Sequence, residues 1–94
     1  MFLVILALLQ PAFATPVART LDVNFEDADV HAALRFLAEA GDVNIVVSDD
    51  VKGLVNLRLN RVTWDEAFFA LLGQKGLVAV QVETTYEVRP RQGP

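Results

Sequence analysis

The chain has 94 residues, of which 53% are hydrophobic and none is cysteine, and its formal net charge at pH 7 is −4. That length allows a single domain, and the apolar content argues against intrinsic disorder. The absence of cysteine excludes disulfides, thiolate nucleophiles and cysteine-ligated zinc or iron–sulfur centres. The Lys and Arg residues are scattered singly along an acidic chain, which argues against nucleic acids and anionic membrane surfaces as partners.

Residues 1–14 are typical of a secretory signal peptide. Met1 to Leu9 contain no polar residue, and this run is far shorter than the roughly 20 residues that span a bilayer as a helix. The Ala-Phe-Ala motif at residues 12–14 fits the small-x-small cleavage rule and predicts a cut before Thr15. No Lys or Arg precedes the apolar run, which leaves a buried N-terminal strand or helix as the alternative. The length and the cleavage motif favour export.

After a polar lead segment, the chain predicts a strand and then a helix. Residues 21–26 alternate between apolar and polar side chains, which is the pattern of a half-buried strand. Asp27 and Asp29 can each cap a helix N-terminus by accepting hydrogen bonds from backbone amides. The helix is expected to run to about residue 40, and Gly41 is placed to end it. Its predicted buried face consists of Val30, Ala33, Leu34 and Leu37.

The middle of the chain predicts two more strands and the start of a second helix. Residues 44–48 are rich in β-branched side chains, and residues 49–53 have the composition of a turn. Residues 55–60 alternate again, with the apolar side chains on one face. Thr63 and Glu66 have the spacing of a capping box, in which each side chain bonds the backbone amide of the other.

Three aromatic side chains of the predicted helices need an interpretation. Trp64 begins the apolar stripe of the second helix, so packing in the core is expected in preference to an exposed anchor for a partner. Phe36 and Phe69 lie off the apolar stripes of their helices. We expect them to face a second sheet, although an exposed patch is the alternative.

The C-terminal part predicts two final strands. Residues 78–82 carry alternating valines, residues 86–89 form a last short strand, and residues 90–94 have the composition of a linker that cannot continue a sheet. The predicted order is β-α-β-β-α-β-β. This order indicates an α+β domain with two helices packed against small mixed sheets.

Six segments of the chain together resemble a known family. They include Asn-Ile-Val-Val-Ser-Asp-Asp-Val-Lys-Gly in the centre and Val-Thr-Trp-Asp-Glu-Ala at the second helix, where the family commonly has Pro in place of Thr63. The segments are residues 24–30, 33–38, 44–53, 55–59, 62–67 and 74–77. They resemble the secretin/TonB short N-terminal domain, in the version found in type IV pilus secretins. The expected domain covers residues 20–89, with residues 15–19 as its lead segment.

The resemblance implies a periplasmic domain at the base of an outer-membrane secretin ring. Such a domain docks onto inner-membrane assembly proteins or secretin proteins and packs ring-wise with copies of itself, in type IV pilus biogenesis or type II-like secretion. Full secretins carry further ring-building domains, so the chain is expected to be a stand-alone adaptor or an N-terminal fragment. The alternative is the signalling domain of a TonB-dependent transducer that contacts an anti-sigma regulator. The segments at residues 51–53 and 63–66 favour the secretin interpretation.

The candidates for catalysis are weak. His31 is the single histidine, and general acid–base chemistry would need a positioned nucleophile, for which the chain offers Ser48 and a few threonines. We expect a solvated residue on the helix surface. The acidic residues lack the spacing of a calcium loop and are explained by capping and turns; they are Asp27, Asp29, Asp49 and Asp50. No enzymatic activity, cofactor, metal or small-molecule substrate is expected.

Docking through strand edges is the expected mode of binding, because short open sheets leave unpaired backbone groups at their edges. The first strand and the last strand, residues 86–89, are the two candidates. The first strand shows Asp22, Asn24 and Glu26 on its outer face, and its charge there is only negative. A basic segment of an inner-membrane assembly protein is therefore the expected partner, bound weakly and in a salt-sensitive way.

Overall fold

The computed structural model describes residues 19–91, so the predicted signal peptide and nearly all of the lead segment lie outside the described residues. The predicted order of elements is confirmed. The five strands and two helices are β1 (Leu21–Asp29), α1 (Val30–Gly41), β2 (Asn44–Val47), β3 (Leu54–Val62), α2 (Trp64–Lys75), β4 (Leu77–Val82) and β5 (Thr85–Pro90).

The strands form two small sheets. β1 and β3 form an antiparallel pair, and a three-stranded sheet has the order β2-β5-β4. In the second sheet β5 is parallel to β2 and antiparallel to β4, so the prediction of an α+β fold with small mixed sheets is confirmed. The prediction that the last strand is an open docking edge is wrong, because β5 is paired on both sides. The pairing order depends on contacts between distant segments, which the local pattern does not encode.

The last strand is two residues longer than the predicted residues 86–89, because β5 begins at Thr85 and ends at Pro90. Pro90 was predicted to begin the linker, but it lies opposite Leu77 of β4. Pairing with β2 ends at Val88. The backbone nitrogen of Pro90 faces the β2 side of β5, at a point that β2 does not reach. The missing N–H therefore costs the sheet no hydrogen bond.

Both ends of α1 are capped by aspartates. The carboxylate of Asp29 accepts hydrogen bonds from the amides of His31 and Ala32, at 3.0 and 3.2 Å, which confirms it as the N-cap. The C-terminal cap is Asp42, in the left-handed conformation with φ 54°. Gly41, which was predicted to take this role, is the last helical residue. Gly41 is needed for packing, because a Cβ at this position would lie only 2.5 Å from Nε1 of Trp64.

The capping box predicted for α2 is confirmed. The Thr63 hydroxyl accepts from the Glu66 amide at 3.2 Å, and the Glu66 carboxylate accepts from the Thr63 amide at 2.8 Å. Gly76 ends the helix with φ 66°. Asp65 and Glu66 in the first turn and Lys75 in the last turn complement the helix dipole.

The core lies where the two helices meet the inner faces of both sheets, and its buried members among residues 19–91 are all apolar. Trp64 packs at the edge of this core, as predicted. Its ring stacks on Phe68 with centroids 4.8 Å apart, and its Nε1–H donates to the carbonyl of Leu37 at 2.7 Å. The indole therefore ties α2 to α1 through both packing and a hydrogen bond.

The two aromatic residues off the helix stripes do not face a second sheet as expected. Phe69 is 61% exposed, and the ring that it packs against is Phe68 of its own helix. Phe36 is 43% exposed, and its ring packs against Phe25 of β1 in a T-shaped arrangement, with the ring centroids 5.7 Å apart. The expectation is wrong for Phe69. It is met in part for Phe36, whose ring packs against Phe25 of β1.

Candidate functional site

The three residues predicted to bind a partner lie together on the outer face of β1. Asp22, Asn24 and Glu26 are all exposed, while Val23 between them is buried in the core. This alternation anchors one face of β1 and leaves the other face free. Asn24 lies directly opposite Arg58 of β3, so a guanidinium shares this surface with the carboxylates. The single sequence of β1 could not show this neighbour, and the surface is less purely negative than predicted.

Two β-bulges shape the β1–β3 pair, and each contains a non-glycine residue with a positive φ. Asp27 on β1 has φ 48°, and its amide donates to Oδ1 of Asn56 at 2.9 Å. Arg61 on β3 has φ 55°, and its amide donates to Oδ1 of Asp22 at 2.8 Å. In both bulges a side chain of the opposite strand satisfies the amide that the ladder leaves unpaired.

These bulges correct two sequence interpretations. Asp27 is not a helix cap, because its amide and its carboxylate both bond Asn56 across the sheet. Asp22 is exposed, but one of its oxygens is already used by Arg61. Of the predicted binding residues, Asn24 and Glu26 therefore have side chains with no hydrogen bond to other residues in the range 19–91.

The two strands of this pair differ in how open their outer edges are. On β3, the carbonyls of Leu54 and Asn56 point away from β1 and accept hydrogen bonds from the side chains at the end of α2. Lys75 Nζ donates to Leu54 at 3.0 Å, and Gln74 Nε2 donates to Asn56 at 2.8 Å. Within residues 19–91, no side chain bonds the outer edge of β1 in this way. β1 is therefore the edge of this sheet that can accept a further strand.

His31 is not the solvated surface residue that the sequence predicted. It is half-buried, and its Nε2 lies 2.7 Å from the carbonyl oxygen of Val51. Because a carbonyl oxygen can only accept, Nε2 carries the proton in this contact. The ring thus holds the turn after β2 against α1. In the described part of the chain, no three His, Asp or Glu side chains are arranged to hold a metal ion.

Neither helix within residues 19–91 has the length and apolar character needed to cross a membrane. The described chain is a small α+β domain with an apolar core and an open, polar strand edge. An open strand edge of this kind can accept a strand of another protein segment. A family model described as "GspD-like, N0 domain" matches residues 23–88. The chain therefore belongs to the GspD-like N0 domain family, which confirms the predicted resemblance to secretin N-terminal domains.

Type IV pilus proteins are among the relatives. The chain is 46% identical over 57 residues to the fimbrial assembly protein PilQ of Pseudomonas aeruginosa, which covers 61% of this chain and 8% of that protein. It is 34% identical to the Vibrio cholerae type IV competence pilus secretin PilQ solved by electron cryomicroscopy, with a TM-score of 0.65 over 72% of this chain and 16% of that one. The chain thus spans about a tenth of the length of the PilQ proteins it matches.

Two solved structures from the type II secretion system of enterotoxigenic Escherichia coli share the fold. The isolated N0 domain matches with a TM-score of 0.71 and 21% identity, over 79% of this chain and 99% of that one. A crystal structure of a GspC–GspD complex matches with a TM-score of 0.56 and 20% identity, over 76% of this chain and 55% of that one. At 20–21% sequence identity, these two matches show only that the fold is shared.

Proposed function

We propose that this chain is a protein-docking domain that works in the periplasm, as part of an outer-membrane secretin system for type IV pilus biogenesis or type II-like secretion. The family match and the PilQ relatives support the system. The observation that carries the docking role is the open outer edge of β1. The strand is held in place because Val23 packs one of its faces into the core. The family model and relatives named above are secretins, so they give no support to a TonB-dependent transducer.

The proposed partner is a periplasmic segment of an inner-membrane assembly protein. The solved relative in which GspD is bound to GspC supports a protein partner for this fold. Binding would add a strand of the partner to β1, so that main-chain hydrogen bonds provide the affinity. Copies of the domain would pack side by side in a ring and present this edge repeatedly.

Charge sets the preference of the β1 edge. Within residues 19–91 the side chains of Glu26 and Asn24 make no hydrogen bond, whereas Asp22 contributes charge but uses one oxygen to hold the bulge at Arg61. Arg58 reduces the negative field without reversing it, because the acidic residues of β1 outnumber it on this face. A basic segment is therefore preferred, and the preference is expected to weaken as salt screens the exposed charges.

The test is a charge reversal that leaves the bulges intact. Glu26→Lys is expected to weaken binding of an extended peptide of alternating valine and lysine by about tenfold at low salt, with most of the change lost above physiological salt. Glu87→Lys is the matched control, because Glu87 is equally exposed but lies on the other sheet. Fluorescence anisotropy measures both. Equal effects of the two substitutions would show that β1 is not the docking edge.

Export belongs to the same proposal. Residues 1–14 would be removed as a signal peptide, which gives a mature chain that starts at Thr15. Intact-mass measurement on a periplasmic extract is expected to find this product. A protein that retains Met1, or one that remains in the cytoplasm, would contradict export.

A further inference from the structure

The second sheet also has a free edge, on β2. The amides of Asn44 and Ser48 donate to carbonyls of the β5 side of the sheet, at Thr84 and Val88. Because successive residues of a strand direct their backbone groups to opposite sides, the N–H and C=O groups of Ile45 and Val47 point away from β5. Two donors and two acceptors therefore line the outer edge of β2, and within residues 19–91 no hydrogen bond is made to them.

A groove runs along this edge, between β2 and α1. Its β2 wall is formed by Ile45 and Val47. Its α1 wall includes His31, Arg35 and Ala38, whose spacing of four and three residues places them on one flank of the helix. Leu34 completes the lining, so the floor of the groove is apolar.

The charge of the groove is opposite to that of the β1 edge. The charged or titratable side chains that line it are His31 and Arg35, and no carboxylate of the described residues lines it. Among the six described residues that line the groove, His31 is already held by Val51, so the exposed Arg35 is the charged side chain that can bind a ligand. The nearest aspartates in sequence, Asp42 and Asp49, lie beyond the two ends of β2.

We propose that this groove is a second docking site, which adds one extended strand of a partner protein to the free edge of β2. Side chains of the added strand that turn toward α1 meet Arg35, so they are acidic. Those that turn to the opposite face lie beside Val46, which is 57% exposed on β2, so they are apolar. The occupant is therefore a segment of alternating apolar and acidic residues, and the site is separate from the β1 edge.

The first test uses an end-capped peptide of about nine residues with alternating valine and glutamate, long enough to pass both ends of β2. It is expected to shift the NMR amide signals of Ile45 and Val47, and Arg35→Glu is expected to weaken binding at least about tenfold. Arg89→Glu is the matched control, with the same change of charge on an exposed residue of β5, and should bind within about twofold of the wild type. No binding, or equal losses in the two variants, overturns the proposal.

The second test separates strand addition from side-chain contact. Two versions of the peptide carry N-methyl groups on alternate amides, in the two possible phases. Only one phase removes donors that face β2, so one version should lose binding and the other should keep it. Loss with both versions or with neither overturns strand pairing. Shifts at Ile45 and Val47 that grow with protein concentration alone would assign the groove to a second copy and also overturn it.

The two proposals fail independently. The valine–lysine peptide and Glu26→Lys report on β1, whereas the valine–glutamate peptide and Arg35→Glu report on β2. A glutamate peptide that leaves the β2 amides unchanged contradicts the second site, while the lysine peptide and Glu26→Lys still decide the first.

Discussion

At the scale of single residues, Trp64 joins the two helices. Its position at the start of an amphipathic stripe was enough to predict core packing, because a stripe of that spacing must face the interior. The sequence could not show that the indole would need a glycine opposite it. Gly41 fits the pattern of a helix terminator, but its lack of a Cβ is what allows Trp64 to approach α1. The residues next to Trp64 in the sequence do not indicate which residue it contacts across the core.

Truncating Trp64 should destabilise the whole domain. Trp64→Ala removes the stacking on Phe68 and the hydrogen bond to Leu37, and a large core truncation of this kind costs about 3–5 kcal/mol. In so small a domain that loss approaches the total stability. Phe69→Ala is the control, because Phe69 is largely exposed and its loss should change the free energy of unfolding by less than about 0.5 kcal/mol. Urea unfolding compares them, and similar midpoints would overturn the core assignment of Trp64.

At the scale of elements, the β1–β3 pair owes its shape to bulges that the alternating pattern conceals. In the sequence, Asp27 lies between a predicted strand and a predicted helix, and this position is typical of a helix cap. The actual role depends on Asn56, which is 29 residues away. Asp29 was predicted correctly because a cap bonds amides two and three residues further along the same chain. Local hydrogen bonds could be predicted, and bonds between strands could not.

The bulge on β1 should depend on Asn56. Asn56→Ala leaves the Asp27 amide without its side-chain acceptor, and loss of an exposed hydrogen-bond pair of this kind costs about 1 kcal/mol. Asn60→Ala is the matched control on the same strand, because no hydrogen bond from its side chain is seen within residues 19–91. Chemical unfolding measures the stability, and amide hydrogen exchange reports on β1. Equal losses in the two variants would mean that the Asn56 contact does not hold the bulge.

At the scale of the whole molecule, the order of elements was predictable and the pairing of strands was not. Capping residues, helical stripes and period-two alternation are local signals, and they gave all seven elements. The position of β5 between β2 and β4 requires β5 to pair in parallel with β2 after the chain has passed through β3, α2 and β4, and no local signal indicates this pairing. The same limit applies to β4, whose alternating valines lie largely outward: Val80 and Val82 are exposed, whereas Leu77 is buried. Alternation identified the strand but not its buried face.

The fold therefore has open strand edges of opposite charge preference on its two sheets. β1 carries carboxylates on its free face, and the groove at β2 is lined by Arg35 and His31. On the two proposals made above, the domain would hold two different protein segments at once. In this proposal the inner-membrane partner binds at the β1 edge.

Site-specific photo-crosslinking in cells that produce the chain tests docking through β1. A photoreactive residue replaces Asn24 at the β1 edge or, as a control, Glu87 on the outer face of the other sheet, and cross-linked products are identified by mass spectrometry. We expect Asn24 to cross-link to the periplasmic segment of an inner-membrane assembly protein, and Glu87 not to do so. The absence of any such product at Asn24, or the same product at both positions, would contradict docking through β1.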